Sequence, residues 1–147
     1  MIVSFTRAAS ADEALLLEMM RAFYAEEHLR FDPACAAALR ELLIAPTLGL
    51  VTLIHRDAHV AGYFVLTFSY SLERGGKTAL LDELFILPPH RRQGLAKAAL
   101  QHALTAARTH ACHALHLEVA HANAAAQALY AQAGYTTEGR DFWTLRW

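Results

Sequence analysis

Apolar residues follow a helical period in some parts of this chain and a strand-like pattern in others. Six of them share one face of a helix near the N-terminus: Leu15, Leu16, Met19, Met20, Phe23 and Tyr24. We expect this helix to begin at a capping box with Ser10 at the N-cap and Glu13 at N3. Asp32, which is followed by a proline, predicts the start of a second helix that reaches about Leu43.

Runs rich in β-branched and aromatic residues predict the strands of the first half. Residues 2–7 indicate a short first strand, and residues 48–55 and 60–69 flank a polar turn as in an antiparallel hairpin. Residues 78–87 indicate the next strand. Two consecutive prolines end it, because proline cannot donate to a strand ladder.

The second half predicts a return to helices. An alanine-rich run over residues 94–110 favours a third helix. Residues 115–120 indicate a further strand. Asn123 can cap a fourth helix that ends before Gly134. Residues 135–138 and 142–147 indicate a closing hairpin. The predicted order is β-α-α-β-β-β-α-β-α-β-β, an α/β fold in one domain over residues 1–147 without linker or repeat.

Composition excludes several classes of protein. The sequence is 55% hydrophobic and 18% charged, so it is not disordered. A net charge of −1 argues against a nucleic-acid binder with a broad basic face, and no apolar run is long enough to cross a membrane. Cys35 and Cys112 form no paired motif, and the N-terminus lacks the features of a signal peptide, so we expect a cytoplasmic protein. Nine histidines show no metal-ligand spacing, so we expect no metal.

The turn Arg91-Arg92-Gln93-Gly94-Leu95-Ala96 carries the first candidate chemistry. It lies between a predicted strand and a predicted helix, where free N–H groups of the first helical turn favour an anion. The sequence contains neither a P-loop nor a dinucleotide fingerprint. The turn therefore predicts a different phosphate site, or else a basic helix start with a packing glycine.

A second pattern lies downstream. Asn123, Ala126, Tyr130 and Gly134 follow one another at spacings of three, four and four residues, and the first three share one helix face. That face could equally be a packing face, with Tyr130 as a core tyrosine.

The two patterns, in this order and separation, resemble the GNAT superfamily of acyl-CoA-dependent N-acyltransferases. The first is similar to its pyrophosphate loop and the second to its Asn-x-x-Ala-x-x-x-Tyr-x-x-x-Gly segment. The resemblance covers essentially the whole chain and implies a mixed, mostly antiparallel, twisted sheet of about seven strands flanked by four helices. Phe68, Tyr70 and the acidic pair before Phe85 are similar to the spermidine/spermine and thialysine acetyltransferase branch.

The resemblance implies acetyl-CoA as cosubstrate. Its pyrophosphate would lie on the backbone amides of Arg92, Gln93, Gly94, Leu95 and Ala96, with side-chain contacts from Arg91 and Arg92. The pantetheine arm would add to the fourth strand at Phe85, Ile86 and Leu87, as in edge augmentation. Asn123 and Tyr130 would also contact the donor.

The resemblance also implies the acid and the base. Tyr130 would protonate the departing thiolate, a transfer that is uphill by about 2 kcal/mol for unshifted pKa values near ~8.5 and ~10. Asp82 or Glu83 would deprotonate the amine. These two carboxylates alternate sides of a regular strand, so only one can face the substrate. Asp82 is one methylene shorter than the glutamate usual in the polyamine branch, which favours a water relay.

The predicted acceptor is a primary amine of a small molecule, polyamine-like or lysine-like, that attacks directly in a ternary complex. Acidic and aromatic groups suited to it are Tyr24, Glu26, Glu27, Phe31, Tyr70 and Asp82. Glu26 and Glu27 could instead be a solvated helix end. A protein or peptide N-acetyltransferase and a non-catalytic acyl-CoA sensor are the alternatives. We expect a homodimer through the closing hairpin, with Trp143 and Trp147 as contacts.

Overall fold

A five-stranded mixed sheet forms the centre of the computed structural model, which describes residues 1–147. The elements are β1 (Val3–Arg7), α1 (Glu13–Glu26), α2 (Pro33–Ile44), β2 (Gly49–Arg56), β3 (His59–Ser71), β4 (Gly76–Ile86), α3 (Leu95–Thr109), β5 (Leu115–Leu117) and α4 (Ala124–Gln132). Short 3-10 turns cover Ser10–Asp12 and Pro88–His90. The strands lie in sequence order, with β1 to β4 antiparallel and β5 parallel to β4. None of the helices has the length and apolar character that crossing a membrane requires.

The sheet separates two hydrophobic cores. On one face, α1 and α2 pack their apolar side chains, such as Leu16, Met19 and Leu39, against Tyr63 and Phe85. On the other face, α3 packs Ala99, Leu100, Ala103 and Ala107 against alternate residues of β2, β3 and β4. Helices on both faces and a mostly antiparallel sheet confirm the predicted architecture.

A β-bulge at Asp82 changes which face of the sheet the later side chains of β4 occupy. Leu81 pairs with Leu66 and Glu83 pairs with Val65, which leaves Asp82 without a partner on β3. The inserted residue reverses the alternation, because a one-residue slip exchanges the faces of every later side chain. Leu81 therefore packs on the α3 face, whereas Glu83 and Phe85 lie on the α1 face.

The prediction of about seven strands is wrong, because the closing hairpin does not form. Residues 135–147 contain no strand, and Trp143 and Trp147 are fully exposed. Ion pairs hold the start of this segment to the β3–β4 turn: Glu138 contacts Arg74, and Arg140 contacts Glu73 at 3.0 Å. The edge strand β5 has only three residues, which is too short to pair with a further strand of normal length.

The helix caps are partly as predicted. Asp32 Oδ1 accepts from Ala34 N at 2.9 Å, and Asn123 Oδ1 accepts from Ala126 N at 3.1 Å, which confirms both N-caps. Gly134 follows α4 with a φ of 92°, as expected of a helix-ending glycine.

The predicted capping box of Ser10 and Glu13 is wrong. Residues 10–12 form a 3-10 turn, closed by a bond from Ala9 N to Asp12 Oδ2 at 2.9 Å. Because α1 begins only after that turn, the Glu13 carboxylate is free to accept from Arg40 Nε, at 2.6 Å.

Candidate active site

The separation of β4 and β5 creates a cavity. The two strands pair only over Ala79–Leu81 and Leu115–Leu117. Beyond Leu81, β4 continues to Ile86 with β3 as its only partner, so its other edge is open. A cavity of about 580 Å³ lies along this edge, bounded by α1, α3 and α4.

Most residues predicted to bind the donor line this cavity: Phe85, Ile86, Arg91, Arg92, Gly94, Leu95, Ala96, Asn123 and Tyr130. Leu87 does not, because its N–H donates to Ala61 O at 2.9 Å on the β3 side. Gln93 does not, because its side chain turns back to donate to Pro89 O at 3.3 Å. The structure therefore brings the loop, the β4 edge and α4 together.

The loop before α3 has the backbone of an anion site. Arg92 and Gly94 have φ values of 62° and 81°, in the left-handed region that is costly for arginine and permitted for glycine. The first backbone bond of α3 runs from Ala98 N to Gly94 O at 3.0 Å, so the preceding amides have no partner within the helix. Lys97 and Arg92 add cationic side chains at the same end of the cavity. The loop can therefore bind a negatively charged group.

Arg91 is already engaged by the protein itself. Its terminal nitrogen donates to both carboxylate oxygens of Glu26 at 2.8 Å, and its Nε donates to Ile86 O at 2.8 Å. Its guanidinium also lies over the Phe85 ring, 5.5 Å from the centroid. Arg91 thus connects α1, β4 and the loop, a role the sequence did not indicate.

Two carboxylates meet where β4 and β5 separate. Asp82, the bulge residue, and Glu118, the first residue after β5, both line the cavity. Enclosure by the protein raises the pKa of Asp82, and the charge of Glu118 raises it further. Sequence reasoning missed Glu118. Its position, five residues before Asn123 on the strand predicted to flank the site, was the available signal.

Glu83 is held away from the cavity. Its side chain is buried, and it accepts from Tyr24 Oη at 2.5 Å and from Tyr63 Oη at 2.6 Å. Burial raises the pKa of Glu83, although the two tyrosine donors oppose that shift. Burial, and after it the interaction with Glu83, raises the pKa of both Tyr24 and Tyr63. Sequence reasoning missed Tyr63, which lies within a continuous apolar run and looks like an ordinary core residue.

Tyr130 lies on the α4 wall of the cavity, about two helical turns after Asn123. Burial raises the pKa of Tyr130, and the charge of Glu27 adds to this effect. A raised pKa keeps the phenol protonated at neutral pH, so it can donate a proton or a hydrogen bond.

The predicted acceptor residues divide into two groups. Glu26, Glu27 and Asp82 line the cavity. Tyr24 bonds to Glu83 and packs against Phe31, with ring centroids 5.4 Å apart, and neither residue lines the cavity. Tyr70 is 74% exposed near the far end of β3, and the structure does not bring it to the cavity. No group of three or more histidine, cysteine, aspartate or glutamate side chains is arranged to hold a metal ion.

Comparison with known families identifies one match. The sequence model described as the acetyltransferase (GNAT) family matches residues 14–135, which include the bulge, the loop and α4. No curated protein shows significant sequence similarity to the chain.

Solved structures share the fold over nearly the whole chain. An integron cassette protein from the mobile metagenome of Cole Harbour Salt Marsh is 30% identical, with a TM-score of 0.85 over 97% of this chain and 89% of its own. A ribosomal-protein-alanine N-acetyltransferase from Brucella melitensis biovar Abortus 2308 is 17% identical, with a TM-score of 0.80 over 99% and 100%. An aminoglycoside acetyltransferase from an uncultured soil metagenomic sample, in complex with sisomicin, is 16% identical, with a TM-score of 0.78 over 98% and 97%.

Proposed function

We propose, since this chain belongs to the GNAT acetyltransferase family and is an acyltransferase, that its acceptor is a primary amine of a small molecule. GNAT enzymes use acetyl-CoA as cosubstrate. The observation that carries the proposal is the acidic acceptor side of the cavity, where Asp82 and Glu118 lie beside the open edge of β4. A cationic amine is the ligand that such a surface favours.

The donor side fits acetyl-CoA. The open edge of β4 offers backbone groups to the amides of a pantetheine arm, in the manner of an added strand. The loop amides before Ala98 and the cations Arg92 and Lys97 suit a diphosphate. His90 Nδ1, a buried polar atom without a partner, lies in the same loop and lines the cavity. When bound, the donor supplies an activated acetyl thioester.

The acceptor side supports an amine of positive charge. Glu27, Asp82 and Glu118 line the cavity without an ion-pair partner, whereas Glu26 is neutralised by Arg91. The solved structures include an aminoglycoside acetyltransferase and a ribosomal-protein-alanine N-acetyltransferase, so the shared fold leaves the acceptor open. The similarity of β4 to the polyamine branch leads us to favour a polyamine-like or lysine-like amine.

Asp82 is the base we favour for the reaction. A lysine-like amine has a pKa of about 10.4 and must lose a proton before it attacks. Asp82 would accept that proton, directly or through a water, because it reaches the cavity while Glu83 is committed to two tyrosines. The amine nitrogen then bonds to the acetyl carbon as the carbon–sulfur bond breaks. Tyr130 would give its proton to the sulfur, and the second proton of the attacking nitrogen would pass through water to the Tyr130 phenolate. These transfers leave an amide, a free thiol and the first amine proton on Asp82.

A thiol-release assay over a panel of amines tests this function. The panel should contain polyamines, lysine analogues, aminoglycosides and peptides with free N-termini. We expect amine-dependent release of CoA with polyamine-like or lysine-like acceptors, and its loss in Asp82→Asn. Preference for peptides would favour a protein acetyltransferase, and binding of acetyl-CoA without turnover on any amine would favour a sensor.

We also propose a homodimer through the C-terminal segment. Phe142, Trp143, Leu145 and Trp147 are each more than 80% exposed, and the apolar side chains of 143, 145 and 147 alternate as on one face of a strand. Three aromatic residues can bury about 150–250 Å² each, so two copies reach the lower range of a stable interface. Light scattering should give a dimer mass that deletion of residues 142–147 reduces to a monomer.

We place the protein in a reducing compartment, the cytoplasm. Cys35 and Cys112 are both free thiols in the structure. Fractionation of cells that express the protein, with thiol labelling of the recovered chain, would test this location.

A further inference from the structure

We propose that Arg91 is a positioning residue that clamps the end of α1 to the donor loop through Glu26, and that it is not a phosphate ligand. The inference rests on the proposed function, because it concerns the same cavity. It departs from the sequence-based expectation that Arg91 contacts the CoA diphosphate.

Three contacts fix the Arg91 side chain from three directions. Its terminal nitrogen lies 2.8 Å from each oxygen of Glu26, and its Nε lies 2.8 Å from Ile86 O. The face of the guanidinium lies over Phe85. Arginine is suited to this arrangement, since its planar fork donates in several fixed directions at once.

The clamp joins the two halves of the proposed site. Glu26 is the last residue of α1 and precedes Glu27, which lines the acceptor side of the cavity. Arg91 directly precedes Arg92, whose left-handed backbone begins the anion-binding loop. A displacement of α1 would therefore move Glu27 relative to the loop, unless the ion pair holds them together.

The charges also argue against phosphate binding by Arg91. A carboxylate already neutralises this guanidinium, and release of Arg91 would leave Glu26 unpaired beside the diphosphate. The pair is about 40% exposed on both sides, so its direct contribution to stability is small. Its value lies in fixing geometry, because one guanidinium nitrogen holds both oxygens of Glu26 while Nε holds Ile86 O.

Two donors that differ in the diphosphate separate the two roles. Acetyl-CoA contains the diphosphate, and S-acetyl-pantetheine lacks it. If Arg91 is a clamp, Arg91→Ala should raise the KM of the amine to the same extent with both donors. Glu26→Gln should reproduce that rise, since it removes the other half of the pair. If Arg91 binds phosphate, its substitution affects acetyl-CoA alone, and Glu26→Gln strengthens binding by freeing the guanidinium.

The experiment measures the Kd of acetyl-CoA by calorimetry, and kcat and KM with both donors for a reactive amine. For Arg91→Ala and Glu26→Gln we expect an about three- to tenfold rise in the amine KM with either donor, and a double variant no worse than the single ones. Arg91→Lys keeps the charge and loses the fork, so it should behave like Arg91→Ala. Arg92→Ala is the phosphate control, whose defect should appear with acetyl-CoA only. Glu13→Gln breaks the Arg40 pair at the other end of α1 and should change neither donor kinetics nor the amine KM.

Additive losses in the double variant, or a defect of Arg91→Ala confined to acetyl-CoA, would overturn the clamp. Retention of wild-type kinetics in Arg91→Lys would also overturn it, since charge alone would then suffice. Failure of the proposed function looks different, because the unmodified protein would then bind no acetyl-CoA or turn over no amine.

Discussion

Asp82 and Glu118 are the first residues beyond the last paired positions of β4 and β5, and both line the cavity that opens there. Burial raises the pKa of Asp82, and the charge of Glu118 raises it further. This relationship places a carboxylate with increased basicity next to the open edge of β4. In the reaction that we propose, Asp82 is the base and Glu118 is the neighbour that tunes its pKa.

The pH dependence of kcat/KM should separate these roles. Asp82→Asn should remove the ascending limb that belongs to this carboxylate and lower the rate by about 10²- to 10⁴-fold, the usual range for a general base. Glu118→Gln removes a nearby negative charge, which makes ionisation of Asp82 easier. The limb should then move to lower pH without disappearing. The opposite pattern, loss of the limb in Glu118→Gln alone, would make Glu118 the base.

Tyr130→Phe should lower kcat about 10²-fold, which is the low end for a general acid, because a thiolate can leave without much help. The KM of the amine should change little, since the ring remains. Tyr135→Phe is the matched control. Its ring packs against Tyr130 at 6.0 Å, and burial raises its pKa to about 12, but it does not line the cavity. A rate for Tyr130→Phe equal to that of the control would make Tyr130 a packing residue.

Glu83→Gln should change how stability depends on pH. Because burial raises the pKa of Glu83 above its ordinary value of 4.5, the folded protein keeps a proton there that the unfolded chain has already lost. The free energy of unfolding of the wild type therefore falls as pH rises from 4.5 through the raised pKa, and Glu83 contributes to this fall. In urea unfolding from pH 4 to pH 8, the free energy of unfolding of Glu83→Gln should increase relative to that of the wild type as pH rises. A difference that is constant with pH, or grows in favour of the wild type, would contradict the raised pKa.

Gly94→Ala should weaken acetyl-CoA binding more than it destabilises the protein. A Cβ at Gly94 meets no atom within 4 Å, so the fold loses only the about 1–2 kcal/mol of left-handed strain. The methyl group would, however, face the ligand at the start of α3. Gly75→Ala is the matched control, with a φ of 79° and equally open space in the β3–β4 turn. Calorimetry should show a loss of affinity for acetyl-CoA in Gly94→Ala alone. Equal losses in both variants would show that the loop does not bind the donor.

Most of the correctly predicted fold follows from patterns among residues that are close in sequence. The caps at Asp32 and Asn123 and the glycine that ends α4 depend on residues within a few positions, and all were confirmed. The direction of the Glu83 side chain was not predictable, because a bulge has no reliable local pattern and the reversal of faces depends on pairing with β3.

In the candidate site, too, local patterns were predictable from the sequence and non-local contacts were not. The loop and the α4 residues were recognisable because their spacing in sequence carries the pattern. Glu118 becomes a neighbour of Asp82 only through parallel pairing across 36 positions of sequence, which no periodicity reveals. The pairing of Arg91 with Glu26 is equally non-local, so no pattern in the sequence indicates it. The closing hairpin failed for a related reason, since its pattern was strand-like but no sheet edge of adequate length receives it.

The most direct test of the whole account is the reaction of the purified protein with acetyl-CoA and the amine panel, followed by thiol release and by mass spectrometry of the amine. We expect one CoA thiol released for each acetyl group that appears on the amine, with both signals reduced about 10²-fold or more in Asp82→Asn. Binding of acetyl-CoA without an acetylated product from any amine would contradict it.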